Sequence, residues 1–313
     1  MAKIVKILTS SFATLENTMP PYNIRIPSCE ENLQTAYKIL DMAKEYSPDI
    51  VLLPETFKNA GRSIETYAND SETIDGQVIN FLSAKAFEGH YNLVAGILLS
   101  ENQHLSNEAI IFDRNGKIAG RYVKNYPVEA EIQAGIIPGN SIPTFDLDFG
   151  RIGVAICFDI NWRNIWNTFK DKEIDFACWI SAYEGGNLLS QYAQWYKYPI
   201  VSSVWPYHSK VIDIMGNVPV KTSRWNRLAY YEMNLDRELF HTDLQMDKIN
   251  DIEKKYGNDI LIQAFTEENL FLLTNYRSDC TIKDIEKEFN LVSYKKYIER
   301  CTVLRDQTLF NKV

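Results

Sequence analysis

The chain contains no run of about 18 consecutive apolar residues, so no segment suits a membrane-spanning helix. Cysteine is sparse and scattered: Cys29, Cys157, Cys178, Cys280 and Cys301 are odd in number and form no CxxC pair. That spacing excludes a disulfide framework and a thiolate zinc site, and it suits a reducing cytoplasm. Histidine is as thin, with four residues, none close to another, so no histidine metal site is expected. Basic residues are outnumbered, 33 Lys and Arg against 41 Asp and Glu, for a formal charge of −8. Nucleic acids and anionic membranes demand clustered Lys and Arg, so neither is an expected partner. The opening residues MAKIVKILTSSF lack a long apolar stretch ahead of a small-residue cleavage site, and no secretory signal is expected. Repeats and low-complexity segments are absent as well.

What remains is ordinary globular composition, 45% hydrophobic and 12% aromatic over 313 residues, enough for one large domain or two smaller ones. Strands and helices alternate. Lys3–Leu8 reads as a strand, and Ser28 with Glu31 as a capping box opening a helix that Ser47-Pro48 ends. Further strands follow at Ile50–Leu53, Leu93–Leu99, Ala109–Phe112, Ile118–Val123, Ile152–Ile156, Phe176–Ile180, Ile200–Val204 and Leu228–Met233. Helices are expected near Val78–Glu88, Asn164–Lys170 and Leu188–Tyr196. Asp113-Arg114-Asn115-Gly116 and Met215-Gly216-Asn217 read as hairpin turns, since Asn and Gly accept positive φ. The pattern predicts a layered α/β domain with a mixed sheet over residues 1–236. Residues 237–313 are more charged and read as a mainly helical C-terminal extension around one apolar stretch, Leu270–Leu273.

Three strand ends break the apolar logic. VLLPETF ends a buried-looking strand in Glu55, GRYVKNYP ends one in Lys124, and GRIGVAICFD ends one in Cys157. Taken singly, a strand-end glutamate reads equally as a turn residue, a lysine as a solvated end and a cysteine as a small hydrophobe. Ligands bind beyond strand ends in sheet-based folds, so the three together read as one converging pocket.

These three blocks, in the order Glu, Lys, Cys, resemble the signature blocks of the nitrilase superfamily, the carbon–nitrogen hydrolases. Ser106-Asn107-Glu108-Ala109 through Asn115-Gly116, and Glu232-Met233-Asn234-Leu235-Asp236, resemble its hairpin and its closing block. The resemblance covers roughly residues 3 to 236 and implies a four-layer α-β-β-α sandwich with mixed sheets. It also implies a homodimer or higher homo-oligomer. Cys157 is then the expected nucleophile, forming a thioester or thioimidate. Glu55 is the expected proton shuttle, and Lys124 with the backbone N–H of Phe158 is expected to stabilise the developing anion. A second glutamate, which positions the lysine and the attacking water, is expected at Glu131, with Glu129 as its competitor. Asp159, Asn161 and Arg163 are expected to position the Cys157 elbow.

Phe158, Trp162, Tyr183 and Glu184 are candidates to line the substrate pocket, with an ordinary loop as the alternative for Tyr183-Glu184. Where the family carries a small or Asn-rich stretch, this chain has Ser203-Val204-Trp205-Pro206-Tyr207-His208-Ser209. These bulky side chains either narrow the pocket or seal another surface. The expected activity is hydrolysis of a small amide or N-carbamoyl compound, without cofactor. Two other readings are a nitrilase using the same three residues and a non-catalytic sensor that keeps the fold.

Overall fold

Short β-branched runs separated by amphipathic stretches build two sheets in the computed structural model of the protein, which describes residues 3–12 and 26–310. The first sheet uses β1 (Ile4–Ser10), β2 (Ile50–Leu52), β3 (Asn92–Glu101), β4 (His104–Phe112) and β5 (Ile118–Val123). The second uses β6 (Thr144–Leu147), β7 (Gly150–Ile156), β8 (Phe176–Ser181), β9 (Ile200–Val204), β10 (Lys210–Ile212) and β11 (Val220–Lys221). With β12 (Leu228–Asn234), the described residues form two six-stranded sheets, ordered β12-β1-β2-β3-β4-β5 and β11-β10-β9-β8-β7-β6.

Both sheets are mixed. β1, β2 and β3 run parallel before β4 and β5 turn antiparallel; β7, β8 and β9 run parallel between antiparallel β6 and β10. Parallel strands are buried on both faces, which is why Ile50, Val51 and Leu52 are wholly inaccessible. The helix Cys29–Tyr46 is opened by the Ser28–Glu31 capping box and ended by Ser47 in the left-handed region. It buries Leu33, Ala36, Ile39, Leu40 and Ala43 beside the helix Gln77–Gly89, against the outer face of the first sheet. The helices Arg163–Asp171 and Leu188–Tyr196 cover the second sheet with Ile165, Trp166, Phe169 and Tyr192. Between the sheets, Thr9 Oγ1 donates to the Ser202 carbonyl at 2.6 Å and Ser203 Oγ to that of Ser10 at 2.8 Å. The layers are therefore α-β-β-α.

The two expected turns share one device. Asp113 Oδ1 accepts from the N–H groups of Asn115 and Lys117, and Asp213 Oδ1 from those of Met215 and Asn217. Gly116 and Gly216 follow at φ 72° and 85°. In the second hairpin only Lys210 with Lys221 and Val211 with Val220 pair.

The chain separates into two compact units, residues 6–231 and residues 1–5 with 232–313. The second unit carries the expected helical content in Met246–Tyr256, Ile282–Glu288 and Tyr294–Phe310. Thr281 and Asp284 form the capping box at the start of the middle helix. It also holds an unforeseen antiparallel sheet, β13 (Arg237–His241), β14 (Ile260–Phe265) and β15 (Leu270–Asn275), in the order β13-β15-β14. Its own core collects Phe240, Ile252, Phe271, Leu273 and Ile285.

Candidate active site

Glu55 leaves β2 through Pro54, at a point where only glycine fits opposite. A Cβ on Gly96 of β3 would lie 2.5 Å from the Glu55 Cα, so the absence of a side chain lets the two backbones meet. Behind it, the Trp205 indole N–H donates to the Glu55 carbonyl. The bulky segment noted in the sequence therefore braces Glu55 from the rear. Lys124 leaves β5 with its N–H bonded to the Asn107 carbonyl of β4 at 2.9 Å. Glu131 lies in the short helix Glu129–Gln133 and accepts from the Val128 N–H at 2.8 Å.

These side chains meet out of solvent. Lys124 Nζ donates to Glu55 Oε1 and to Glu131 Oε2, each at 2.7 Å, and all three residues are 3% exposed or less. Asn107 Nδ2 bridges the same carboxylates, donating to Glu55 Oε1 and Glu131 Oε1 at 2.8 Å. The remaining Glu55 oxygen, Oε2, accepts from the Ala182 N–H at 2.8 Å. Burial alone lowers an ammonium pKa, but the interactions with Glu55, Cys157 and Glu131 outweigh it and raise that of Lys124. Lys124 is a fixed cation. Glu129, by contrast, is exposed and accepts from Gln133 at 3.0 Å.

Cys157 ends β7 at φ 50°, a left-handed conformation that costs a non-glycine residue about 1–3 kcal/mol. Asp159 holds that elbow. Its Oδ2 accepts from the Ile156 N–H at 2.9 Å and the Tyr122 hydroxyl at 2.8 Å, and its Oδ1 from the Tyr126 N–H at 2.9 Å. Burial nevertheless dominates these donors and pushes the Asp159 pKa up to about 6. The Trp179 indole donates to the Cys157 carbonyl at 3.0 Å. Burial first, and then the charge of Glu55, raise the thiol pKa, with Lys124 and a Ser181 hydrogen bond acting against them. Burial and the charge of Glu55 both favour the neutral thiol.

The lining candidates fall into different places. Trp162 stacks on Tyr126 with centroids 4.0 Å apart and meets Phe158 edge-on at 5.2 Å, forming an aromatic wall beside the elbow. Tyr183 packs edge-on against Trp179 at 5.4 Å. Burial, then the charges of Cys157 and Glu55, push its pKa up to about 12, which puts its ring in the field of the site. Glu184 instead pairs with His208 Nδ1 at 3.0 Å, in a separate cavity. Asn161 donates to the Phe158 carbonyl at 3.0 Å, and Arg163 opens the helix Arg163–Asp171.

Asn107, Asp159's partner Tyr122 and the Ala182 N–H were not singled out from sequence. Asn107 carried at most a weak signal: it lies between Ser106 and Glu108 in the polar half of the strand His104–Phe112. Among the described residues no group of His, Cys, Asp and Glu is arranged to hold a metal ion.

The Carbon-nitrogen hydrolase family model matches residues 18–238, well over half of the chain, and the chain belongs to that family. Nitrilase homolog 2 of Dictyostelium discoideum is 24% identical over 238 residues, 66% of this chain and 71% of that protein. Omega-amidase NIT2-A of Xenopus laevis is 26% identical over 179 residues, 54% of this chain and only 63% of that protein. The crystal structure of Saccharomyces cerevisiae Nit3, a member of branch 10 of the nitrilase superfamily, matches with a TM-score of 0.66 at 20% identity. That match covers 82% of this chain and 95% of Nit3. An amidase from Nesterenkonia sp. gives a TM-score of 0.64 at 14% identity over 82% of this chain and 97% of its own. At such identities the likeness establishes the fold.

Proposed function

We propose that the protein hydrolyses the C–N bond of a small amide or N-carbamoyl compound through a thioester on Cys157. The observation that carries this is Lys124, held at 2.7 Å from both Glu55 and Glu131 in a buried cluster whose charges reach the Cys157 thiol. Two carboxylates make a buried ammonium tolerable in any lysine, but only an anion-stabilising lysine also calls for a strained cysteine in the same cluster. Glu55 takes the thiol proton as sulfur attacks the carbonyl carbon. Lys124 Nζ faces the oxygen that gains charge. The tetrahedral adduct collapses as Glu55 returns the proton to the departing nitrogen, which leaves as ammonia or an amine. Glu55 then deprotonates water, and attack on the thioester releases the acid and the thiol. Glu131 and Asn107 orient Lys124 and Glu55. Phe158, Trp162 and Tyr183 give the substrate an aromatic wall.

The omega-amidase and amidase names among the similar proteins support the amide reading over the nitrile one. A homo-oligomer in a reducing cytoplasm is part of the same proposal, consistent with five free cysteines. Ammonia release measured over a panel of amides, N-carbamoyl amines and nitriles tests it. Turnover of amides or carbamoyl compounds, lost in Cys157→Ala, is the expected result. Turnover of nitriles alone would replace it with the nitrilase reading, and inactivity on every class would favour the sensor.

A further inference from the structure

A cavity of about 290 Å³ at the end of the second sheet is walled by Glu184, Asn187, Ser190, His208, Lys210 and Lys221, together with neighbouring backbone. None of Glu55, Lys124, Glu131 or Cys157 contributes to it. Its charges are arranged against the ordinary rule for sheets. Strands β10 and β11 pair antiparallel with Lys210 directly opposite Lys221, so two ammonium groups share one face of the ladder, where like charges repel. The chain as a whole is acidic, at −8, so this local excess of positive charge is not imposed by composition.

One carboxylate faces two ammonium groups, so the pair is only partly compensated. The cavity's one carboxylate, Glu184, is taken up by His208 at 3.0 Å. Lys210 is half-buried and spends one donor on the Gly186 carbonyl at 3.0 Å. Burial lowers its pKa; the charge of Glu184 opposes this, and that of Lys221, the smaller of the two, adds to it. Lys221 itself makes no ion pair or hydrogen bond among the described residues, and neither do the side chains of Asn187 and Ser190.

We propose that this cavity binds a small oxyanion, of the carboxylate or phosphate class, between the Lys210 and Lys221 ammonium groups. The Ser190 hydroxyl and the Asn187 amide face the same space as hydrogen-bond donors. An anion there turns the cross-strand repulsion into two attractions, each a charge-assisted hydrogen bond. The site is separate from the Cys157 cluster and stands whether or not the protein hydrolyses amides.

Isothermal titration of the full chain with inorganic phosphate and, separately, with succinate tests it, chloride holding the ionic strength constant. Saturable binding is expected, weakened about tenfold or more by Lys221→Gln or Lys210→Gln, since each removes a charged donor. Phosphate binding without succinate assigns a phosphoryl ligand, and succinate without phosphate a carboxylate. Cys157→Ala should bind as the wild type does. Lys221 is exposed, so its variant is expected to fold, and a bound anion should raise the wild-type melting temperature but not that of Lys221→Gln. No saturable binding of either anion, binding unchanged in both lysine variants, or binding lost in Cys157→Ala would each overturn the proposal.

Discussion

The two sheets divide the candidate chemistry unequally. The first sheet and its connections supply Glu55, Asn107, Lys124 and Glu131, and these already bond to one another. The second supplies the Cys157 thiol on a strained turn, with Ser181 beside it. The buried charge and the thiol are thus built by different means. A buried ammonium is tolerable only inside a set of acceptors, so its wall is a closed hydrogen-bonded network. A neutral thiol needs no such escort, and its wall is specified by backbone conformation instead. The Ala182 N–H, reaching Glu55 Oε2 from the second sheet, ties the two together.

Removing the charged wall's proton shuttle should have the largest effect. Glu55→Gln keeps shape and is expected to lower turnover by about 10² to 10⁴ while the fold, followed by circular dichroism, persists. A near-native rate would mean that the shuttle lies elsewhere. Next comes Lys124→Met, expected to lower turnover by about 10² to 10³. It also leaves two buried carboxylates facing each other, so urea unfolding should show a loss of about 3–5 kcal/mol. Unchanged stability would contradict the closed network.

The nucleophile's wall is tested through Asp159. Its folded pKa is raised from 3.8 to about 6, so its contribution is fully present below pH 3.8 and lost as pH rises through 6. Asp159→Asn should therefore cost more stability at pH 4.5 than at pH 7, by about 1–2 kcal/mol. A cost that instead grew from pH 4.5 to pH 7 would show that the three donors, not burial, govern this carboxylate. The smallest effect is reserved for Glu129→Gln, exposed and outside the network, expected within about 0.5 kcal/mol and with unchanged turnover. Glu131→Gln measured beside it should lose turnover, and equal behaviour of the two would remove Glu131 from the cluster.

How far the sequence spoke depended on how local the signal was. Glu55, Lys124 and Cys157 each interrupt an apolar strand, and an interruption is visible in a window of seven residues. Glu129 and Glu131 lie two apart on one short helix, and only the fold decides which of them turns inward. Asn107 was legible as a hairpin residue but not as a bridge, because its partners lie 52 and 24 residues away. The sheet of residues 237–275 escaped notice for another reason. β14, ILIQAF, is apolar in sequence but has no apolar–polar alternation to mark a half-buried strand, and its positions after Ile260 are mostly open. Beside the charged helices it read as more of the same.

The Ala182–Glu55 hydrogen bond closes a span of 127 residues, and the Thr9–Ser202 contact a span of 193. Closing spans of that length comes late in refolding, because chain entropy must be lost before such contacts reward it. During refolding from denaturant, helix and local hairpin signals should return first. The carboxylate and the thiol acquire their common environment only when the sheets dock. Catalytic competence is therefore a clock as well as an activity: its return times the docking step. A chain emerging from the ribosome cannot form the Ala182–Glu55 tie until residue 182 is available.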